Sequence, residues 1–192
     1  MRADLTGRKI AILATDGFEQ IELTAPQAAL ERAGAVVEIV SPKAYEIQGF
    51  NHLEPGDMIR VTKRLDEATP KDYDALVLPG GVFNPDQLRV DEDATDFTRA
   101  FIDADKPVAA ICHAPWVLIN AGVASGRTMT AVKTVRTDLA NAGANVVDEE
   151  VVVDGHLITS RGPDDLAAFC DSLINMVAEA PHAAVPGAVA FI

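Results

Sequence analysis

The chain holds only two cysteines, Cys112 and Cys170, in 192 residues. They make no disulfide framework, and no CxxC pair offers a thiolate metal site. Histidine is also scarce, with four at positions 52, 113, 156 and 182 and none at metal-ligand spacing, so no metal is expected. Aromatic residues make up 5%, too few for a base-stacking platform. Basic residues are outnumbered, 16 against 29 acidic, for a net charge of −13. That excess argues against nucleic acid and against an anionic membrane surface as partners. No segment approaches the roughly 18 apolar residues of a membrane span. The opening residues 1–9 are polar, so no secretory leader is expected. A reducing cytoplasm is the expected compartment.

What is present reads as an ordinary globular composition, 48% hydrophobic and 23% charged. The length suits one domain spanning 1–192, with a core over about 9–180. Strand and helix signals alternate. Residues 9–14 (KIAILA), 36–40, 74–78 (DALVL) and 108–111 (VAAI) are short apolar runs, as expected of buried parallel strands. Helical spacing is found over 19–33, 91–104, 115–121, 135–142 and 163–179. Late strands are expected over 146–153 and 157–160, around an Asp154-Gly155 turn. The alternation predicts an α/β fold, a mostly parallel sheet with helices on both faces. Residues 41–70 break the rhythm and suggest a hairpin on the sheet edge. The Ala- and Pro-rich tail, 181–192, is expected to be either loose or docked on a neighbouring subunit.

The chemistry concentrates in Pro107-Val-Ala-Ala-Ile-Cys112-His113-Ala-Pro-Trp116. Here an apolar strand runs straight into a cysteine, a histidine and a helix with Pro115 in its first turn. A thiol on such a turn lies beside the N–H groups of a helix start, which favour its reactive thiolate form. The same cysteine could equally be a small core residue, and adjacency alone does not aim His113 at the thiol. In an open α/β sheet ligands sit beyond the carboxyl ends of the strands. Two further pieces meet there: the loop Thr15-Asp16-Gly17-Phe18-Glu19, and Gly80-Gly81 after DALVL, whose backbone N–H groups could bind an oxyanion.

The motifs LVLPGG, AICHAPWVLINAG, GFEQIEL and EEVVVDGHLITSRGPDDL, in this order and spacing, resemble the DJ/PfpI superfamily. This is the branch of the class I glutamine-amidotransferase-like fold that includes PfpI-type intracellular peptidases and bacterial general stress proteins. The segment QGFNHLEPGDMIRVTKRLDEA resembles the stress-protein subgroup. The resemblance implies a flavodoxin-like three-layer sandwich with Cys112 at a nucleophile elbow. It implies that Glu19 rests against the sulfur as a largely protonated carboxyl that donates a hydrogen bond. It implies His113 as general base, an oxyanion site from the N–H groups of Gly81 and His113, and a homo-oligomer. In PfpI-type oligomers a carboxylate from a neighbouring subunit completes a triad, and Asp86 stands at the matching position. The family's ICHGP is ICHAP here, so Ala114 replaces a glycine, and Trp116 stands where a polar residue is common.

Other candidates have structural readings. Cys170 lies at helical spacing with Leu166, Leu173 and Ile174, and is expected in the core. His52 and His156 have no nameable partner, and Arg161 and Asp164 are expected to form a turn and a helix cap. Flavin binding is supported by no motif, so no cofactor is expected. The implied function is a stress-response protein with a reactive Cys112, and a substrate that is a small carbonyl or a peptide. Three mechanisms compete: hydrolase or glyoxalase-like chemistry on 2-oxoaldehydes, PfpI-type peptide hydrolysis, and non-enzymatic oxidant sensing or chaperone action through oxidation of Cys112.

Overall fold

The computed structural model describes residues 3–182. From residue 183 on, the tail expected to be loose or docked lies outside the described residues. In chain order the elements are β1 (Lys9–Leu13), β2 (Phe18–Glu19), α1 (Gln20–Arg32), β3 (Val36–Ser41), β4 (Glu46–Asn51), β5 (Glu54–Arg60), β6 (Lys63–Arg64) and β7 (Ala75–Leu78). There follow α2 (Phe83–Leu88), α3 (Glu92–Asp103), β8 (Val108–Ile111), α4 (Pro115–Asn120), β9 (Thr128–Met129) and α5 (Arg136–Asn141). The chain then forms β10 (Asn145–Val146), β11 (Val151–Asp154), β12 (Leu157–Ser160) and α6 (Leu166–Glu179).

Seven strands form the central sheet in the order β11-β12-β8-β7-β1-β3-β6. Every pairing is parallel except β11 with β12, which closes the antiparallel hairpin expected around Asp154-Gly155. The central strands are apolar throughout because both faces are covered. Alternate residues serve opposite layers: Ile10, Ile12, Ala75, Val77, Ala109 and Ile111 face the layer holding α1 and α6. Ala11, Leu13, Leu76, Leu78, Val108 and Ala110 face the layer of α3, α4 and α5. The result is a three-layer α/β sandwich with a hydrophobic core on each side of the sheet.

Two details depart from the sequence reading. Residues 46–60 do form a hairpin, but it does not extend the main sheet; β4 pairs with β2 to make a separate three-stranded sheet beside the first loop. The main-sheet edge is instead the two-residue β6. The expected strand over 146–153 divides, since β10 pairs with β9 and only β11 joins the main sheet.

Candidate active site

The three carboxyl-end loops meet as expected. Cys112 follows β8 with φ at +64°, a left-handed conformation that a non-glycine residue adopts only when its surroundings hold it there. They do so on both sides: the Cys112 N–H donates to the Ser160 carbonyl at 3.0 Å, and the Val132 N–H donates to the Cys112 carbonyl at 3.2 Å. Ala114 is fully buried in ordinary helical conformation, so nothing at that position calls for glycine. The helix that follows, α4, has only six residues. Polarity at the sulfur comes chiefly from individual N–H groups, those of Gly81 and His113, which bond to it and favour thiolate.

Gly80 and Gly81 are required by crowding. A Cβ on Gly80 would stand 2.5 Å from Glu22 Oε2 and 2.6 Å from Cys112 Cβ, and one on Gly81 would stand 2.3 Å from the Gly17 carbonyl oxygen. Gly81 also has φ at +78°. The Gly80 N–H donates to Glu22 Oε2 at 2.8 Å, so it is committed inside the protein and is not free for an oxyanion. Asn84, fully buried, ties the loops together: its Oδ1 accepts from the Thr15 N–H at 2.8 Å, and its amide donates to the carbonyls of Pro79 and Gly80.

The carboxyl against the thiol is Glu22, not Glu19. Glu22 has no exposed surface and interacts with the Cys112 thiol. Glu19 supplies backbone to the Gly80 loop, while its carboxylate turns to the β4–β5 tip and accepts from the His52 N–H at 3.1 Å. The reason is helical geometry. Glu19 is the residue before α1, whereas Glu22 lies on the stripe of α1 that buries Leu23, Pro26, Ala29 and Leu30. Burial pushes the Glu22 carboxyl up to about 8, against the opposing hydrogen bonds from Gly80 and Cys112. Its second oxygen, Oε1, is buried without a hydrogen-bond partner among the described residues. Burial also raises the Cys112 thiol, and an ionised Glu22 raises it further. Burial opposes the thiolate in either case, less so while Glu22 keeps its proton and more once Glu22 loses it.

His113 is aimed at the sulfur, with Nδ1 3.2 Å from Sγ. Its Nε2 lies 3.2 Å from the Thr134 hydroxyl. Burial lowers its pKa, so the imidazole is neutral near pH 7. Trp116 packs on the imidazole with ring centroids 5.2 Å apart, and its indole N–H donates to Asp138 at 2.7 Å. The Arg89 guanidinium stacks 4.8 Å from the indole and pairs with Asp86 at 2.8 Å. Within this chain Asp86 thus touches Arg89, and bonds to neither Cys112 nor His113.

The remaining candidates lie elsewhere. Cys170 sits on α6 with burial pushing its thiol up to about 11. His156 approaches Asp105 at 3.9 Å. Arg161 binds Asp165 through two nitrogens and shares Asp148 with Arg136, which together hold the Asp148 carboxyl down at about 2. Among the described residues no group of three His, Cys, Asp or Glu is placed to hold a metal, and no helix is long and apolar enough to cross a membrane. Sequence reasoning missed Glu22, Asn84 and Thr134. Glu22 is set apart from Glu19 only by the phase of α1 against the sheet; Asn84, on α2, and Thr134, in the turn before α5, carried no signal in the sequence.

A family model described as the DJ-1/PfpI family matches residues 8–176. The Bacillus subtilis protein named "Putative cysteine protease YraA" is 44% identical over 171 residues, covering 88% of this chain and 98% of that protein. A two-domain Anabaena variabilis protein with DJ-1/ThiJ/PfpI-like and ferritin-like domains superposes with a TM-score of 0.83 at 34% identity. The match covers 88% of this chain but 47% of that one, so this chain spans about half of it. Drosophila melanogaster DJ-1beta superposes with a TM-score of 0.82 at 28% identity, covering 89% of this chain and 90% of that one.

Proposed function

This chain belongs to the DJ-1/PfpI family, and within it we propose a cysteine-dependent enzyme of stress response that acts on small reactive carbonyls. We take it to be one domain, working as a homo-oligomer in the cytoplasm. The observation that carries the reading is the constellation at one sulfur: a strained Cys112, the protonatable Glu22 on one side and the neutral His113 imidazole 3.2 Å away on the other. Acid, base and nucleophile on one atom suit addition to a carbonyl followed by proton shuttling. Cys112 is 9% exposed, which favours a small electrophile over a polypeptide.

For a 2-oxoaldehyde the steps balance as follows. His113 takes the thiol proton, and sulfur adds to the aldehyde carbon. The carbonyl electron pair moves to oxygen, which receives the proton back from the imidazolium. His113 then removes the proton from that carbon, giving an enediolate, and returns it to the neighbouring carbon; the hydroxyl proton passes to the neighbouring oxygen as the carbonyl re-forms on the sulfur-bearing carbon, leaving a thioester of the 2-hydroxy acid. Water cleaves the thioester, releasing the acid and restoring the thiol. With the Gly80 N–H committed to Glu22, the N–H groups of Gly81 and His113, which bond to the sulfur in the free protein, are the donors that can turn to the oxyanion once the sulfur is bound to carbon.

A second reading, peptide hydrolysis, is favoured by the name of the Bacillus relative. It requires Asp86 of a second copy to reach His113, and the exposed Val82 and Phe83 beside Asp86 are suited to such a contact. The deciding experiment is lactate formation from methylglyoxal, with wild type beside Cys112→Ala. Turnover lost in the variant, with its melting temperature kept, supports the carbonyl enzyme. No turnover by fully reduced wild type overturns it.

A further inference from the structure

The His113 imidazole makes two hydrogen-bond contacts among the described residues, and the second is to a neutral group of its own chain. Nδ1 faces Cys112 Sγ, and Nε2 faces the Thr134 hydroxyl, both at 3.2 Å. Thr134 does not occupy this place by chance of a loose loop. It lies in the turn that precedes α5, closed by the Val135 N–H on the Val132 carbonyl at 2.9 Å. The Val132 N–H anchors that same turn to the Cys112 carbonyl at 3.2 Å. The elbow that strains the cysteine and the turn that presents Thr134 are thus one hydrogen-bonded unit. The Trp116 indole packs beside the imidazole, tilted by 60° with ring centroids 5.2 Å apart.

We propose that Thr134 is a positioning residue that sets the tautomer of His113, so that the third member of the Cys112–His113 relay is an uncharged hydroxyl from the same chain. A neutral imidazole carries one N–H. When Nε2 holds it and donates to Thr134 Oγ1, the lone pair of Nδ1 faces the thiol and can take its proton. The S–H bond breaks, the electron pair stays on sulfur, and the new imidazolium donates from Nδ1 to the thiolate and from Nε2 to Thr134. The hydroxyl accepts in both states, so no rearrangement accompanies transfer. Being neutral, it orients the base without raising its basicity as a carboxylate would. The charged groups around the ring leave this assignment intact. Glu22 lies beyond the sulfur, Asp138 is bound to the Trp116 indole, Arg89 stacks on that indole, and Arg136 is held by Asp148 and the Ala131 carbonyl.

The inference rests on Cys112 being a nucleophile, and one experiment separates the two. Iodoacetamide alkylation of Cys112 is followed by peptide mass from pH 5 to 10 in the full chain, for wild type, Thr134→Val and Thr134→Ser. Thr134 is exposed, so both variants are expected to fold, with melting temperature as the check. Thr134→Val should slow alkylation at pH 7 roughly fivefold, the size of one lost hydrogen bond, and move the profile to higher pH. Thr134→Ser should restore rate and profile. A Thr134→Val profile that overlays wild type overturns the positioning role and leaves the nucleophile standing. A Thr134→Ser variant as slow as Thr134→Val assigns the effect to packing and also overturns it. Wild-type Cys112 reacting no faster than Cys170 overturns both readings.

Discussion

The two ends of the central sheet each bury ionisable groups, and they treat them in opposite ways. At the amino end, Arg8 (6% exposed) pairs with Asp74 (4% exposed) at 3.2 Å. Both partners are bonded further: Arg8 also donates to the Ala180 carbonyl, Asp74 accepts from the Lys9 N–H at 2.8 Å, and the His182 imidazole lies 3.6 Å from the Asp74 carboxylate. Opposite charges meet, and the pair locks β1, the approach to β7 and the end of α6 together. At the carboxyl end, Glu22 is buried beside a thiol with no cation bonded to it, and its Oε1 lacks a partner among the described residues. A satisfied buried charge stabilises an arrangement, whereas an unsatisfied one keeps a proton in a place where it can move. On the proposed function, the same fold uses one end for cohesion and the other for chemistry.

That contrast breaks most severely with Asp74→Ala. It leaves the Arg8 guanidinium buried without its counter-charge, which costs about 3–5 kcal/mol. Urea unfolding should show that loss. Where the variant remains folded, Cys112 alkylation should keep its wild-type pH dependence, because the damage lies at the other end of the sheet. A changed alkylation profile would show that the two ends are coupled rather than separate.

Glu22→Gln is the corresponding change at the chemical end, and its effect is conditional on pH. The Glu22 carboxyl is raised in the folded state from 4.5 to about 8, so the folded protein holds a proton that the unfolded chain releases. Its contribution is intact below about pH 4.5 and is lost as pH rises toward 8. Relative to Glu22→Gln, wild type should lose on the order of 4–5 kcal/mol between pH 4.5 and 9. Denaturant titrations at several pH values measure the difference. Equal slopes for the two proteins would mean that Glu22 does not hold its proton. The alkylation rate of Cys112 should also fall in the variant, because glutamine's amide is a weaker donor to sulfur than a carboxylic acid.

The frame of the molecule was legible because burial on two faces leaves a plain mark. ALVL and VAAI are apolar from end to end and KIAIL is apolar after its Lys9, and each became a central strand. Cys112, Gly80 and Gly81 were legible because the chain topology brings the carboxyl ends of adjacent parallel strands together. What the sequence could not separate was Glu19 from Glu22, two like residues three apart in GFEQIEL. Only the phase of α1 against the sheet decides between them. On α1 the apolar Ile21 is 44% exposed, while the acidic Glu22 is buried. Hydrophobic periodicity misreads a helix when a buried carboxyl occupies its core stripe. The two-residue strands β9 and β10 and the Thr134 turn were invisible for another reason. Their places are set by backbone bonds to distant elements, such as Val132 to Cys112, rather than by local pattern.

The smallest effect tests how far the chemical end extends. Trp116 touches His113 with one face and meets Arg89 and Asp138 elsewhere, so it links the imidazole to the exposed Asp86–Arg89 pair. Trp116→Phe keeps an aromatic face for the imidazole but removes the indole N–H and weakens the guanidinium stack. Both lost contacts are at the surface, so unfolding free energy should fall by no more than about 1 kcal/mol. If Trp116 serves only to confine the ring, Cys112 alkylation should slow less than in Thr134→Val, since the hydrogen bond that selects the tautomer remains. A larger slowing than in Thr134→Val would move the control of His113 from the hydroxyl to the indole. The reactive end of the sheet would then reach outward through Arg89 to Asp86.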